Sequence, residues 1–217
     1  MKKRYLLFDL DGTLTDPAEG ITNSFAYSLN KLDIIVPEKS ELKKLIGPLL
    51  TDSFEFYFGM QKETAKVAIE YFREYFRDKG IFENKVYDGV EKMLSEQKQR
   101  GKSIILATSK ATIFAERILE HFDIANYFDF VSGSYLDGTR VAKNDVIEYA
   151  LRSCGITDRS AVIMIGDREH DIIGAKKTGI DSIGVLYGYG SLDELKNARS
   201  EYIAESIVEL NELLSDI

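Results

Sequence analysis

The chain has 217 residues, 44% of them apolar and 29% charged, with a formal net charge of −8. That length holds one sizeable core, or a core with a smaller inserted unit. The negative balance argues against a nucleic-acid polymer or an anionic membrane as main partner, and no apolar run approaches the roughly 20 residues that span a bilayer.

Residues 1–8 imitate the start of a secretory signal, but Asp9 and Asp11 interrupt the apolar stretch. The single cysteine, Cys154, lies in a helical stretch, is expected in the core, and fits a reducing, cytoplasmic setting.

The first element is the run Tyr5, Leu6, Leu7, Phe8, which ends in Asp9-Leu10-Asp11-Gly12-Thr13. It is too short for anything but a buried strand, and Gly12 supplies the turn that stops it. Side chains alternate along a strand, so Asp9 and Asp11 point to one side at its carboxyl end. In an open parallel sheet that end faces the ligand crevice. Two like charges held together are costly unless a cation or a shared proton relieves them.

A long helical stretch follows. Asp16 reads as a cap before a first-turn Pro17, with Ile21, Phe25, Leu29 and Leu32 at helical spacing behind it. Further helical patterns cover residues 38–46, 51–58 and 62–79. The last carries Val67, Tyr71, Phe72, Tyr75 and Phe76, a stripe expected in a core.

From residue 85 the pattern alternates. Helices are expected at 89–100, 113–122, 145–154, 172–178 and 206–214, and strands at 103–107, 128–131, 161–165 and 182–186. Such units imply an α/β fold, a parallel sheet with helices on both faces. The helical stretch after the first strand is then an insertion, giving a discontinuous core of residues 1–15 and 85–217 and a helical cap of residues 16–84. Asp137-Gly138-Thr139 echoes the early Asp-Gly-Thr without a preceding strand and reads as an ordinary turn.

Other strand ends add chemistry to the first. One carries Thr108-Ser109-Lys110, another Gly166-Asp167 with Asp171 four residues on, and Lys143 opens the helix between them. A parallel sheet gathers these at one edge. Clustered carboxylates suit a hard cation, most simply Mg²⁺. Hydroxyls and a lysine suit a phosphoryl group, and a carboxylate can attack phosphorus while a second one carries the proton. The two histidines, His121 and His170, read as surface helix residues.

The run Phe8-Asp9-Leu10-Asp11-Gly12-Thr13-Leu14 resembles the signature of the haloacid dehalogenase (HAD) superfamily in its phosphatase form. Thr108 after a strand, Lys143 before a helix, and Gly166-Asp167 with Asp171 follow in the right order, so the resemblance spans essentially the whole chain. It implies a Rossmann-like core with an inserted helical-bundle cap. It implies Asp9 as nucleophile and metal ligand, Asp11 as general acid/base with its carbonyl on the metal, Thr108, Ser109 and Lys143 around the phosphoryl group, Asp167 as a further metal ligand, and Asp171 as a metal ligand or as support behind the ligands. Ser109 and Asn144 depart from relatives that carry Asn and Pro there.

Within that superfamily the chain is similar to phosphoglycolate phosphatases and to the bacterial 5′-nucleotidase branch, the latter through Gly166-Asp167-Arg168-Glu169-His170-Asp171. The expected activity is Mg²⁺-dependent hydrolysis of a small phosphorylated metabolite, leaning to nucleoside 5′-monophosphates because aromatic residues 54 and 56–58 crowd the cap. The alternatives are phosphoglycolate, then a sugar phosphomutase or a non-catalytic binding module.

Overall fold

The computed structural model describes residues 2–217. The chain forms two compact units, Met1–Asp16 with Val86–Ile217, and Pro17–Lys85. β1 (Tyr5–Phe8) and β2 (Thr15–Asp16) come first. The second unit holds α1 (Ala18–Lys31), α2 (Lys39–Lys43), α3 (Leu50–Asp52) and α4 (Lys62–Tyr75), with π-helical turns at Ser53–Tyr57 and Phe76–Gly80.

The chain then runs through β3 (Lys85–Val86), α5 (Val90–Gln99), β4 (Ser103–Ala111), α6 (Thr112–His121), β5 (Phe130–Ser134), α7 (Lys143–Ser153), β6 (Val162–Gly166) and α8 (Glu169–Thr178). It ends with β7 (Asp181–Val185), α9 (Leu192–Ala198), β8 (Tyr202–Ala204) and α10 (Ile207–Asp216).

Six strands form one sheet in the order β5-β4-β1-β6-β7-β8, and every pairing is parallel. Leu7, Ile105 and Met164 pack with Val146, Ile147 and Ala150 of α7 and Ala175 of α8. Leu6, Phe8, Ile104, Leu106, Ile163 and Ile165 alternate with them and are also fully buried. A sheet covered on both faces needs such unbroken apolar strands. Successive connections leave β1 toward β4 on one side and β6 on the other, and the crevice of an open sheet opens at such a switch point.

The second unit is built on aromatic packing. Phe25 meets Phe54, Phe58 and Phe72 at ring-centroid distances of 5.3, 6.1 and 4.9 Å. Gly20 and Gly80 pack backbone to backbone, since a Cβ on Gly20 would stand 1.9 Å from the Gly80 carbonyl oxygen. Phe72 and Phe76 of the expected stripe are buried, but Val67 faces solvent, because Ala65, Ala68 and Ile69 supply the inner face of α4.

Several local expectations are corrected. Cys154 is exposed, because α7 stops at Ser153 and the cysteine caps it beside Gly155, whose φ is +65°. Pro17, not Asp16, occupies the cap position of α1, and no side chain caps it. Asp16 instead accepts a hydrogen bond from the Tyr189 hydroxyl. The helix expected at 51–58 divides into α3 and a π-helical turn. His121 and His170 are exposed helix residues, and Asp137 closes its turn through the Thr139 N–H.

Candidate active site

The turn after β1 is set by main-chain bonds. Asp9 N–H donates to Ile165 O at 2.9 Å, tying the strand end to β6. The N–H groups of Thr13, Leu14 and Thr15 all donate to Leu10 O, which folds the chain back at once. Gly12 takes a φ of +79°, where a side chain is strained.

Lys143, the first residue of α7, reaches back under this turn. Its Nζ lies 2.9 Å from Asp9 Oδ1, 2.8 Å from Asp171 Oδ1 and 3.0 Å from Ala107 O, with a side chain only 3% exposed. Asp171 sits in the first turn of α8, where its Oδ2 accepts the Arg168 N–H at 3.1 Å. The helix N-terminus and the lysine both favour a carboxylate there.

Asp167 follows β6 and is fully buried. Its Oδ2 accepts the Tyr189 N–H at 2.8 Å, and its Oδ1 accepts the Thr13 hydroxyl at 3.3 Å. The Tyr187 hydroxyl donates to Thr13 O at 3.0 Å, so the loop after β7 clasps the turn after β1. Asp11 completes the group, its Oδ2 lying 2.8 Å from Lys110 Nζ.

The electrostatics follow from this burial. Burial pushes the Asp171 carboxyl up to about 6, with Lys143 opposing and Asp9 adding. Burial also raises Asp167, helped by the charge of Asp171. It raises Asp11 too, against the pull of Lys110. Burial alone would lower the Lys143 ammonium, but Asp171 and Asp9 hold it above the ordinary lysine value.

Asp9, Asp167 and Asp171 each offer a carboxylate oxygen, and these oxygens lie within 4.8 Å of one another. The donors are all oxygen, with one lysine as compensating charge, which fits a hard divalent cation. Carboxylates raised by burial are the groups such a cation would hold ionised.

Asp9, Asp11, Lys143, Asp167 and Asp171 thus come together at one sheet edge. Thr108 and Ser109 lie on the adjoining stretch of β4. Thr108 is buried and its Oγ1 accepts the Lys110 N–H at 3.2 Å, while Ser109 is half-buried and its carbonyl accepts the Ser134 hydroxyl at 2.8 Å. Three supporting residues escaped the sequence reading: Thr13, Tyr189 and Lys110 in its pairing role. A signal for Tyr189 existed in Tyr187-Gly188-Tyr189-Gly190, where alternating glycines announce close backbone approach.

Comparison with known proteins adds to this geometry. The family described as haloacid dehalogenase-like hydrolase matches residues 6–185. A 5′-nucleotidase of Pseudomonas aeruginosa is 41% identical over 209 residues, covering 96% of this chain and 94% of that protein. The tyrosine-protein kinase PtkA of Mycobacterium tuberculosis is 37% identical over 96% of this chain and 72% of its own. Proteins named phosphoglycolate phosphatase match at lower identity. Among solved structures, a predicted phosphatase from Clostridium acetobutylicum is 54% identical with a TM-score of 0.97, covering 100% of both chains.

Proposed function

The chain belongs to the haloacid dehalogenase-like hydrolases and is a phosphatase of that family; from this premise we propose that it hydrolyses a small phosphomonoester through an aspartyl phosphate on Asp9. The observation that carries the reading is the pairing of Asp9 and Asp11 at one strand end, with Lys143 bridging Asp9 to Asp171. We take residues 16–84 as the cap of that enzyme.

Asp9 attacks phosphorus as the ester bond to the leaving oxygen breaks. Asp11 gives that oxygen a proton, then takes one from the water that attacks the aspartyl phosphate. Thr108, Ser109 and Lys143 hold the transferring group. Lys143 also aims Asp9, since its ammonium holds one carboxylate oxygen. Asp9, Asp167 and Asp171, with the Asp11 carbonyl, would hold Mg²⁺, which supplies charge against the repulsion between carboxylates and phosphate.

The substrate reading leans to nucleoside 5′-monophosphates. The 41% identical 5′-nucleotidase of Pseudomonas aeruginosa supports it.

A phosphate-release screen across nucleoside 5′-monophosphates, phosphoglycolate and sugar phosphates tests it. The reading expects kcat/KM for a nucleoside 5′-monophosphate to exceed that for phosphoglycolate. A ratio well below one would overturn the substrate preference and leave the phosphatase intact. An aspartyl phosphate also suits hydroxyl acceptors, so label passing to a tyrosine peptide would widen the acceptor beyond water.

A further inference from the structure

Asp11 carries two unlike oxygens. Lys110 Nζ holds Oδ2 at 2.8 Å, in a pair whose side chains are 9% and 16% exposed. Oδ1 is buried and has no hydrogen-bond partner among the described residues. An unsatisfied buried oxygen is costly and calls for a functional explanation.

Lys110 reaches Asp11 through an irregularity in β4. The strands β4 and β5 pair at Ala107 with Ser132 and again at Ala111 with Ser134, leaving residues 108–110 opposite Gly133 alone. Bulges of this kind re-aim side chains and recur beside active sites. This one is fixed by the Lys110 N–H on Thr108 Oγ1 and the Ser134 hydroxyl on Ser109 O. A Cβ on Gly133 would stand 2.6 Å from Lys110 O, so the bulge needs glycine opposite it. Lys143 Nζ lies instead against Asp9, Asp171 and Ala107 O.

We propose that Lys110 is a positioning residue for Asp11, holding Oδ2 so that Oδ1 is the oxygen that exchanges protons during the reaction. This rests on the acid–base role given to Asp11 above. The proton leaves Oδ1 for the ester oxygen as the P–O bond breaks and its electron pair departs with that oxygen. A proton from water later returns to Oδ1, which restores the starting state.

The test is kcat/KM, which reports phosphoryl transfer to Asp9, for 4-nitrophenyl phosphate and for phenyl phosphate. The nitrophenolate leaves with little protonation, whereas phenolate needs an acid. Lys110→Met raises the 4-nitrophenyl-to-phenyl ratio by about 10-fold or more, part of the 10²–10⁴ that general acid catalysis supplies. Lys110→Arg keeps the charge on a longer, planar head and raises the ratio by less, which preserves the test if Lys110→Met does not fold.

Asp11→Asn is the reference and raises the ratio most. Equal losses on both esters in the Lys110 variants, beside a raised ratio in Asp11→Asn, would overturn the positioning role alone. An unchanged ratio in Asp11→Asn would instead remove the acid role of Asp11, and this proposal with it.

Discussion

Gly12 and Asp167 are packed so closely that a Cβ on the glycine would stand 2.1 Å from Asp167 Oδ2. The turn after β1 and the carboxylate after β6 are therefore one construction, although 155 positions separate them in the chain. Gly12→Ala must displace Asp167 and also hold alanine at a φ of +79°, which itself costs about 1–2 kcal/mol. The expected outcome is a lower Tm together with a higher Mg²⁺ concentration for half-maximal activity. An unchanged Mg²⁺ requirement would show that Asp167 need not sit where Gly12 lets it.

Lys143 pairs with both Asp9 and Asp171. Lys143→Met leaves two carboxylates facing each other without it, and breaking a buried pair costs about 3–5 kcal/mol. In metal-free protein at pH 7 the Tm should fall, with partial recovery when Mg²⁺ is added. Phosphate release should drop by about 100-fold or more, the scale of a lost electrostatic partner in a water-poor site. A variant as stable as wild type without metal would contradict this account.

The raised carboxyls predict how stability depends on pH. Asp171 is pushed up to about 6, and Asp11 and Asp167 are raised in the same direction, burial leading in each case. In the unfolded chain such groups titrate near 4. Between those values the folded chain binds more protons than the unfolded chain, so stability falls as pH rises through that window. Metal-free protein should therefore have a higher Tm near pH 5 than near pH 7, and saturating Mg²⁺ should flatten the difference. Thermal melts at both pH values with and without the cation check it; a Tm that climbs toward pH 7 in chelator would contradict it.

Activity should disappear with a chelator, return with Mg²⁺, and be inhibited by Ca²⁺, which prefers a larger and looser oxygen shell. Asp167→Ala should raise the Mg²⁺ requirement sharply while leaving the fold in place. Full turnover in chelator would remove the cation from the reaction.

The fold class was legible because the strands of a parallel sheet are apolar throughout and each ends in a polar turn. β1 reads this way from Leu6 to Asp9. α9 and β8 escaped notice because they are short, 7 and 3 residues, and bury only Leu195, Ala198 and Ala204, too few to show a period. The carboxylates of the site were legible from local spacing. The pairing of Lys110 with Asp11 was not, since the bulge that aims the lysine depends on Gly133 in a neighbouring strand. Asp16 likewise pairs with Tyr189, which no local pattern around Pro17 could announce.

The central claim is that Asp9 carries the phosphoryl group. Asp11→Asn, which keeps Asp9 but loses the base for water, should accumulate phosphoenzyme when mixed with 4-nitrophenyl phosphate and quenched in acid. Peptide mass mapping should then find one added phosphoryl group on the peptide holding Asp9, and none in the double variant that also carries Asp9→Asn. A phosphoryl group on any other peptide, or Asp9→Asn turning over phosphomonoesters at more than a trace, would contradict the account.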